Sequence, residues 1–136
     1  MKFLSAEQVV QIHAELLERW GGASGGGHRW ADYQGVEAAV QAVKNSYYES
    51  AQELAASHAV YIVQGHVFMD GNKRTGAAAM LTFLHANGVS VRLGSNRLAS
   101  LMIELQDRAE NGEGTGRLIE WLASQLTGHR QARSKR

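Results

Sequence analysis

His66-Val67-Phe68-Met69-Asp70-Gly71-Asn72-Lys73-Arg74, with Thr75 after it, is the stretch on which the reading of this chain turns. Apolar helical runs flank it on both sides. Before it, Ser50 to Gly65 carries Leu54, Ala55, Ala59, Ile62 and Val63 at helical spacing. That run becomes apolar nearly all round in its second half, the pattern of a central, buried helix. After the stretch, Thr75 to His85 reads as another helix, with Leu81 and Leu84 inward and small residues from Gly76 to Ala79 that permit close packing. Asn87-Gly88 supplies a left-handed C-cap. A short polar bend held between two interior helices is a rigid mount for a site.

Working outward, Ser5 and Gln8 form a capping box, and Val9, Ile12, His13, Leu16, Leu17 and Trp20 predict a first amphipathic helix to about Arg19. The glycine-rich run from Gly21 to Gly27 ends it. His28 to Gln34, with the large groups His28, Trp30 and Tyr33, reads as a connection or short flap. Val36, Ala39, Val40 and Val43 mark a second helix, and Tyr47 and Tyr48 fall in the next connection. Downstream, Val89, Val91 and Leu93 alternate as a brief extended segment. Leu98, Leu101, Met102 and Leu105 define a fifth helix. After the turn Asn111 to Gly114, Leu118, Ile119, Leu122 and Leu126 define a sixth, N-capped by Thr115. The expectation is an all-α, compact bundle of about six helices, with the bend between two central ones.

Composition supports one domain over 1–128, followed by a basic, disordered tail over 129–136. With 136 residues, 44% hydrophobic and 20% charged, the chain is an ordinary globular one. A net charge of +1 gives no special attraction to nucleic acid or membranes. Arg130, Arg133, Lys135 and Arg136 gather at the end of the tail, which reads as a solubilising terminus rather than a nucleic-acid arm. With no cysteine there is neither a disulfide framework nor a thiolate metal site, which fits a reducing cytoplasm. No signal peptide is apparent, and no apolar run approaches the ~20 residues of a membrane span. Proline is absent, which suits long uninterrupted helices.

The bend gathers the parts of a phosphate-handling site. His66 offers an imidazole that can take a proton from a hydroxyl near neutral pH. Asp70 is a hard oxygen ligand of the kind Mg²⁺ accepts beside phosphate oxygens. Gly71 lets backbone turn closely around an anion, and the N–H groups at the following helix start, from about Asn72 to Thr75, point into the loop. Arg74 adds a guanidinium fork and Lys73 a point charge, while Phe68 is expected to pin the loop to the core. Singly, each has a plain explanation: a helix-end histidine is ordinarily a cap, and Asp-Gly-Asn is an ordinary turn. Together they are what nucleotide-dependent transfer to a hydroxyl requires. The motif is not a P-loop, since no G-x-x-x-x-G-K-[ST] exists and the preceding element is helical. His58 lies two turns before His66 without a partner set, and His13, His28, His85 and His129 are scattered without ligand spacing. Trp30, Tyr33, Tyr47 and Tyr48 read as packing rather than as a partner surface.

These residues resemble a known family. His66 to Arg74 is similar to the core motif H-x-F-x-D-[GA]-N-K-R of the Fic/Doc superfamily, on the side of the Doc (death-on-curing) toxins. The likeness continues through Phe83 to Gly88, and Trp20-Gly21-Gly22 and Gly35 to Ala39 stand where such proteins carry Y-G-G and G-L-L-E-S-A-like segments. It covers roughly residues 5 to 125. The resemblance implies a six-helix Fic-type bundle in which His66 is the base, Asp70 the metal ligand, and Asn72, Lys73 and Arg74 contact phosphate, with Gly71 and Thr75 completing the nucleotide site. AMP-transferring members carry H-x-F-x-[DE]-G-N-G-R-x-x-R, whereas this chain has Lys73 for the second glycine and Ala77 for the second arginine.

Both departures imply an inverted ATP that offers its γ-phosphate, as for Doc toxins, which act as protein kinases on elongation factor Tu. Gly71 stands where Doc carries alanine. The alternatives are nucleotidyl transfer (AMPylation) to a protein hydroxyl and a catalytically silent binding module. No self-inhibiting [ST]-x-x-x-E-[GN] string occurs, Ser100 to Leu105 coming nearest, so an inhibitor is expected to be an antitoxin acting in trans. Residues from Gly21 to Gln34 match poorly the flap that pins the target protein.

Overall fold

The computed structural model describes residues 1–20, 31–69 and 71–127. They form six helices: α1 (Ala6–Trp20), α2 (Tyr33–Asn45), α3 (Ala51–Gly65), α4 (Asn72–Ala86), α5 (Ser95–Glu110) and α6 (Thr115–Thr127). No strand is present among the described residues, and the all-α expectation holds. No helix among them is long and apolar enough to cross a membrane.

Helix α3 is central because nearly every side chain on it can be buried. It packs against α4, α6, α2 and α5, and eleven of its residues, among them Leu54, Ala59, Ile62 and Val63, are buried. Its start is fixed by Ser50, whose Oγ accepts from Glu53 N–H at 3.1 Å. Helix α4 runs back along it at close range. A Cβ on Gly76 would stand 3.4 Å from both Cα and O of Ala59, so the small-residue run does set the spacing of the two helices.

Two hydrophobic clusters share this helix pair. The larger joins α3 and α4 to α5 and α6 through Met80, Phe83, Leu84, Leu101, Leu105, Leu118 and Leu122. The smaller joins α1 and α2 to Ile62, Ala79 and the bend residues Val67 and Phe68. The bend is therefore part of a core rather than an appendage to it.

Local signals were mostly followed. Ser5 N–H donates to Gln8 Oε1 at 2.8 Å and Gln8 N–H to Ser5 Oγ at 3.1 Å, the reciprocal capping box. At the end of α4, Gly88 takes φ 76°. Its N–H bonds His85 O and that of Val89 bonds Leu84 O, a Schellman arrangement. Three expectations shift. Tyr33 and Gln34 belong to α2, because Asp32 caps that helix through Gly35 N–H. Helix α4 begins at Asn72, with Gly71 as its cap, and not at Thr75. Thr115 is not a cap: Gly114 O accepts the first bond of α6, from Leu118, while the Thr115 hydroxyl donates to Gln64 Oε1 at 2.9 Å. Of the expected flap from Gly21 to Gln34, residues 21–30 lie outside the described residues, as does the tail over 129–136.

Candidate active site

Helix α3 stops at His66, which takes the left-handed conformation (φ 47°, ψ 46°) as C-cap. That geometry costs a side-chain-bearing residue about 1 kcal/mol or more and is normally left to glycine or asparagine. His66 is exposed, whereas Val67 and Phe68, next in line, are buried. Phe68 is the anchor that its sequence suggested. Its ring stacks on that of the buried His13, centroids 3.8 Å apart and planes 10° from parallel.

The backbone around Phe68 is tied on two sides. Asp32 N–H donates to Val67 O at 2.8 Å, and Ala31 pairs with Phe68 in an isolated antiparallel bridge. Gly35 sits under this contact. A Cβ there would meet Asp32 Oδ2 at 2.7 Å and Val67 Cγ1 at 3.0 Å, which explains the glycine opening the Gly35 to Ala39 segment. From the other side the Asn72 carboxamide closes the bend on itself. Its Oδ1 accepts from Phe68 N–H at 3.1 Å and its Nδ2 donates to Phe68 O at 2.8 Å.

Gly71 then reverses the chain with φ 85° and caps α4 without a side chain. A Cβ at that position would stand 3.6 Å from His13 Cδ2. The first backbone bond of α4 runs from Thr75 N–H to Gly71 O at 2.9 Å. The N–H groups of Asn72, Lys73 and Arg74 thus precede the helix's own ladder, where an anion can use them. Thr75 is placed differently from Arg74. Its N–H is already engaged, and its fully buried side chain has a hydroxyl without a partner among the described residues. Arg74 is exposed and in no ion pair among them. Asp70 lies outside the described residues.

Lys73 is half-buried, and its Nζ donates to Gln106 Oε1 of α5 at 2.6 Å. That Gln106, with His66, Val63, Gln64, Ala109 and Glu110, lines a cleft of about 180 Å³. Ala77, at the position of the second arginine in AMP-transferring motifs, is buried in the larger cluster. His58 is a core histidine, not a ligand: its Nδ1–H donates to Leu54 O at 2.9 Å, and burial pushes the imidazole down to about 4. No group of three or more His, Asp or Glu among the described residues gathers to hold a metal ion.

Sequence reasoning missed two participants. His13 supports both Phe68 and Gly71, and its signal was an imidazole on the apolar stripe of α1 between Val9 and Leu17. Gln106 reaches Lys73 from another helix, and nothing in its local sequence marks it.

The Fic/DOC family model matches residues 3–84, from the start of α1 through most of α4, with the whole bend inside the match. The chain belongs to the Fic/DOC family. It is also similar to the protein kinase doc of Escherichia phage P1, at 35% identity over 107 residues, covering 76% of this chain and 81% of that protein.

Proposed function

We propose that the protein is a Doc-like toxin that transfers the γ-phosphoryl group of ATP to a protein hydroxyl, with elongation factor Tu as the candidate acceptor and arrest of translation as the consequence. The observation that carries this reading is the pair of positions that separate it from nucleotidyl transfer. Position 73 holds a lysine engaged by Gln106, and position 77 holds an alanine buried in the core. A cation clamp from position 77 is therefore absent, and the space that a glycine at 73 would leave is filled. The relative's printed activity, a protein kinase, points the same way.

The chemistry follows from the chain's own groups. The ladder-free N–H groups of Asn72, Lys73 and Arg74, with the two side-chain cations, hold triphosphate oxygens. His66 accepts the proton from the acceptor hydroxyl. The hydroxyl oxygen bonds to the γ-phosphorus as the bond from that phosphorus to the bridging oxygen breaks, and ADP leaves with its electrons. A donor set of one carboxylate and substrate phosphates suits Mg²⁺, which Asp70 would hold and which would neutralise developing phosphate charge. Asn72 serves this site by shaping the bend, since both ends of its carboxamide bond to Phe68. The same reading places the protein in the cytoplasm, where an antitoxin acting in trans would restrain it.

One observation favours the second reading, nucleotidyl transfer: Gly71 matches the AMP-transferring motif, not the alanine of Doc. Incubation of a bacterial lysate with ATP labelled at the α- or the γ-phosphate separates the two. Label from the γ position on protein is the expected result. Label from the α position alone would replace the kinase reading, and none from either would favour a silent binding module.

A further inference from the structure

Lys73 is coupled to the helix opposite it. Gln106 Oε1 accepts from its Nζ at 2.6 Å, across 33 positions of sequence. Gln106 Nε2 in turn donates to Glu110 Oε2 at 2.9 Å, one turn along α5. The two partners decide which way the carboxamide faces, because only its oxygen can accept from an ammonium and only its nitrogen can donate to a carboxylate. Gln106 and Glu110 also line the cleft that His66 borders. The residue that orients the lysine and the proposed base thus line one cleft.

The neutrality of residue 106 is the informative point. A carboxylate there would pair directly with Lys73 and offset much of its charge. A carboxamide orients the ammonium through one N–H, leaving two further N–H donors and the whole positive charge for an anion. The family match ends at residue 84, before α5 begins, so the motif itself does not supply this partner.

We propose that Gln106, oriented by Glu110, is a positioning residue for the nucleotide, fixing the Lys73 ammonium so that a phosphate oxygen of bound ATP meets it already in place. The proposal rests on the reading that the bend holds the triphosphate.

A double-mutant cycle tests it, read as the Kd for ATP with Mg²⁺ and as KM and kcat of label transfer. Gln106→Met keeps the volume and removes the acceptor. It is expected to raise Kd and KM for ATP about tenfold, the scale of one hydrogen bond to a charged group, with kcat changed less. In the Lys73→Ala background the same substitution should add less than about twofold. Gln106→Glu, which keeps reach and polarity, should also weaken ATP binding by neutralising the lysine. Glu110→Ala on the exposed end of α5 provides a variant with little risk to folding, expected to give a smaller loss that also vanishes without Lys73. Equal losses with and without Lys73, or unchanged affinity in Gln106→Met, would overturn the proposal while leaving the kinase reading intact. Transfer from the α position would overturn the kinase reading, yet the cycle would still decide the role of Gln106. Failure of the wild type to bind ATP would overturn both.

Discussion

Protonation of one core histidine should set how this fold responds to acid. His58 is 2% exposed in the interior of α3, its ring beside Phe83 at 4.9 Å between centroids. Its Nδ1–H donates to Leu54 O, so the neutral ring leaves Nε2 as an acceptor, buried and without a partner among the described residues. Adding a proton at Nε2 would create a charge and an N–H with nothing to receive it. Desolvation accordingly pushes the imidazole from 6.5 down to about 4, outweighing the opposing effect of the Leu54 hydrogen bond.

The sign follows from proton counting. Between these two values the unfolded chain binds a proton that the folded one refuses, so stability rises with pH. The contribution is fully present above about pH 6.5 and declines as pH falls towards 4, below which it changes no further. At ~1.4 kcal/mol per pH unit the whole effect is roughly 3 kcal/mol, of which about 2.5 falls between pH 7.5 and 4.5. Urea unfolding of the wild type and of His58→Gln at both pH values isolates it, because the other titrating groups are common to the two proteins. The wild type should lose about 2.5 kcal/mol more than the variant over that interval. Equal losses within about 0.5 kcal/mol would refute the burial argument.

The bend offers two further tests, and the packing of α4 on α3 a third. Phe68→Ala removes a fully buried ring stacked on His13, and should cost about 3–5 kcal/mol by urea unfolding while abolishing transfer at the growth temperature. Asn72→Ala strips Phe68 N–H and O of their partners, so a stability loss of about 2 kcal/mol should accompany a fall in kcat. Gly76→Val should lower Tm by an overpacking cost of about 1–3 kcal/mol, because its Cβ already lies at contact distance from Ala59 and its γ-methyls have no room. A variant that melts like the wild type would show that α4 is not packed that closely.

Features confined to one helix or one turn were legible in the sequence. The Ser5 and Gln8 box, the Gly88 cap and the apolar faces of α1, α3, α5 and α6 each depend on residues within one or two turns of one another. The bend was legible for the same reason, as a short polar stretch between two apolar helical runs. Interactions between elements were not. Thr115 carried a proper capping side chain, yet a carboxamide on α3 drew its hydroxyl away from its own helix. The Asn72 side chain is engaged in a way its sequence did not mark, since both its ends bond to backbone four residues earlier. Gln106 and His13 meet the bend only once α5 and α1 have packed beside it, and no spacing rule links them to residues 66–74. Met80 and Phe83 complete the inward face of α4 because a helix running along α3 and facing α5 must bury a wider stripe than Leu81 and Leu84 supply.

The role of His66 is tested most directly by replacing it and measuring binding and transfer in the same preparation. The imidazole at the C-cap of α3 is exposed, so His66→Ala should fold with a Tm near that of the wild type and bind ATP with Mg²⁺ within about twofold in Kd, since the residues proposed to contact phosphate lie beyond it in the bend. Phosphoryl transfer to protein should fall by a factor of about 10² or more. Transfer that persists at the wild-type rate in this variant would contradict the account.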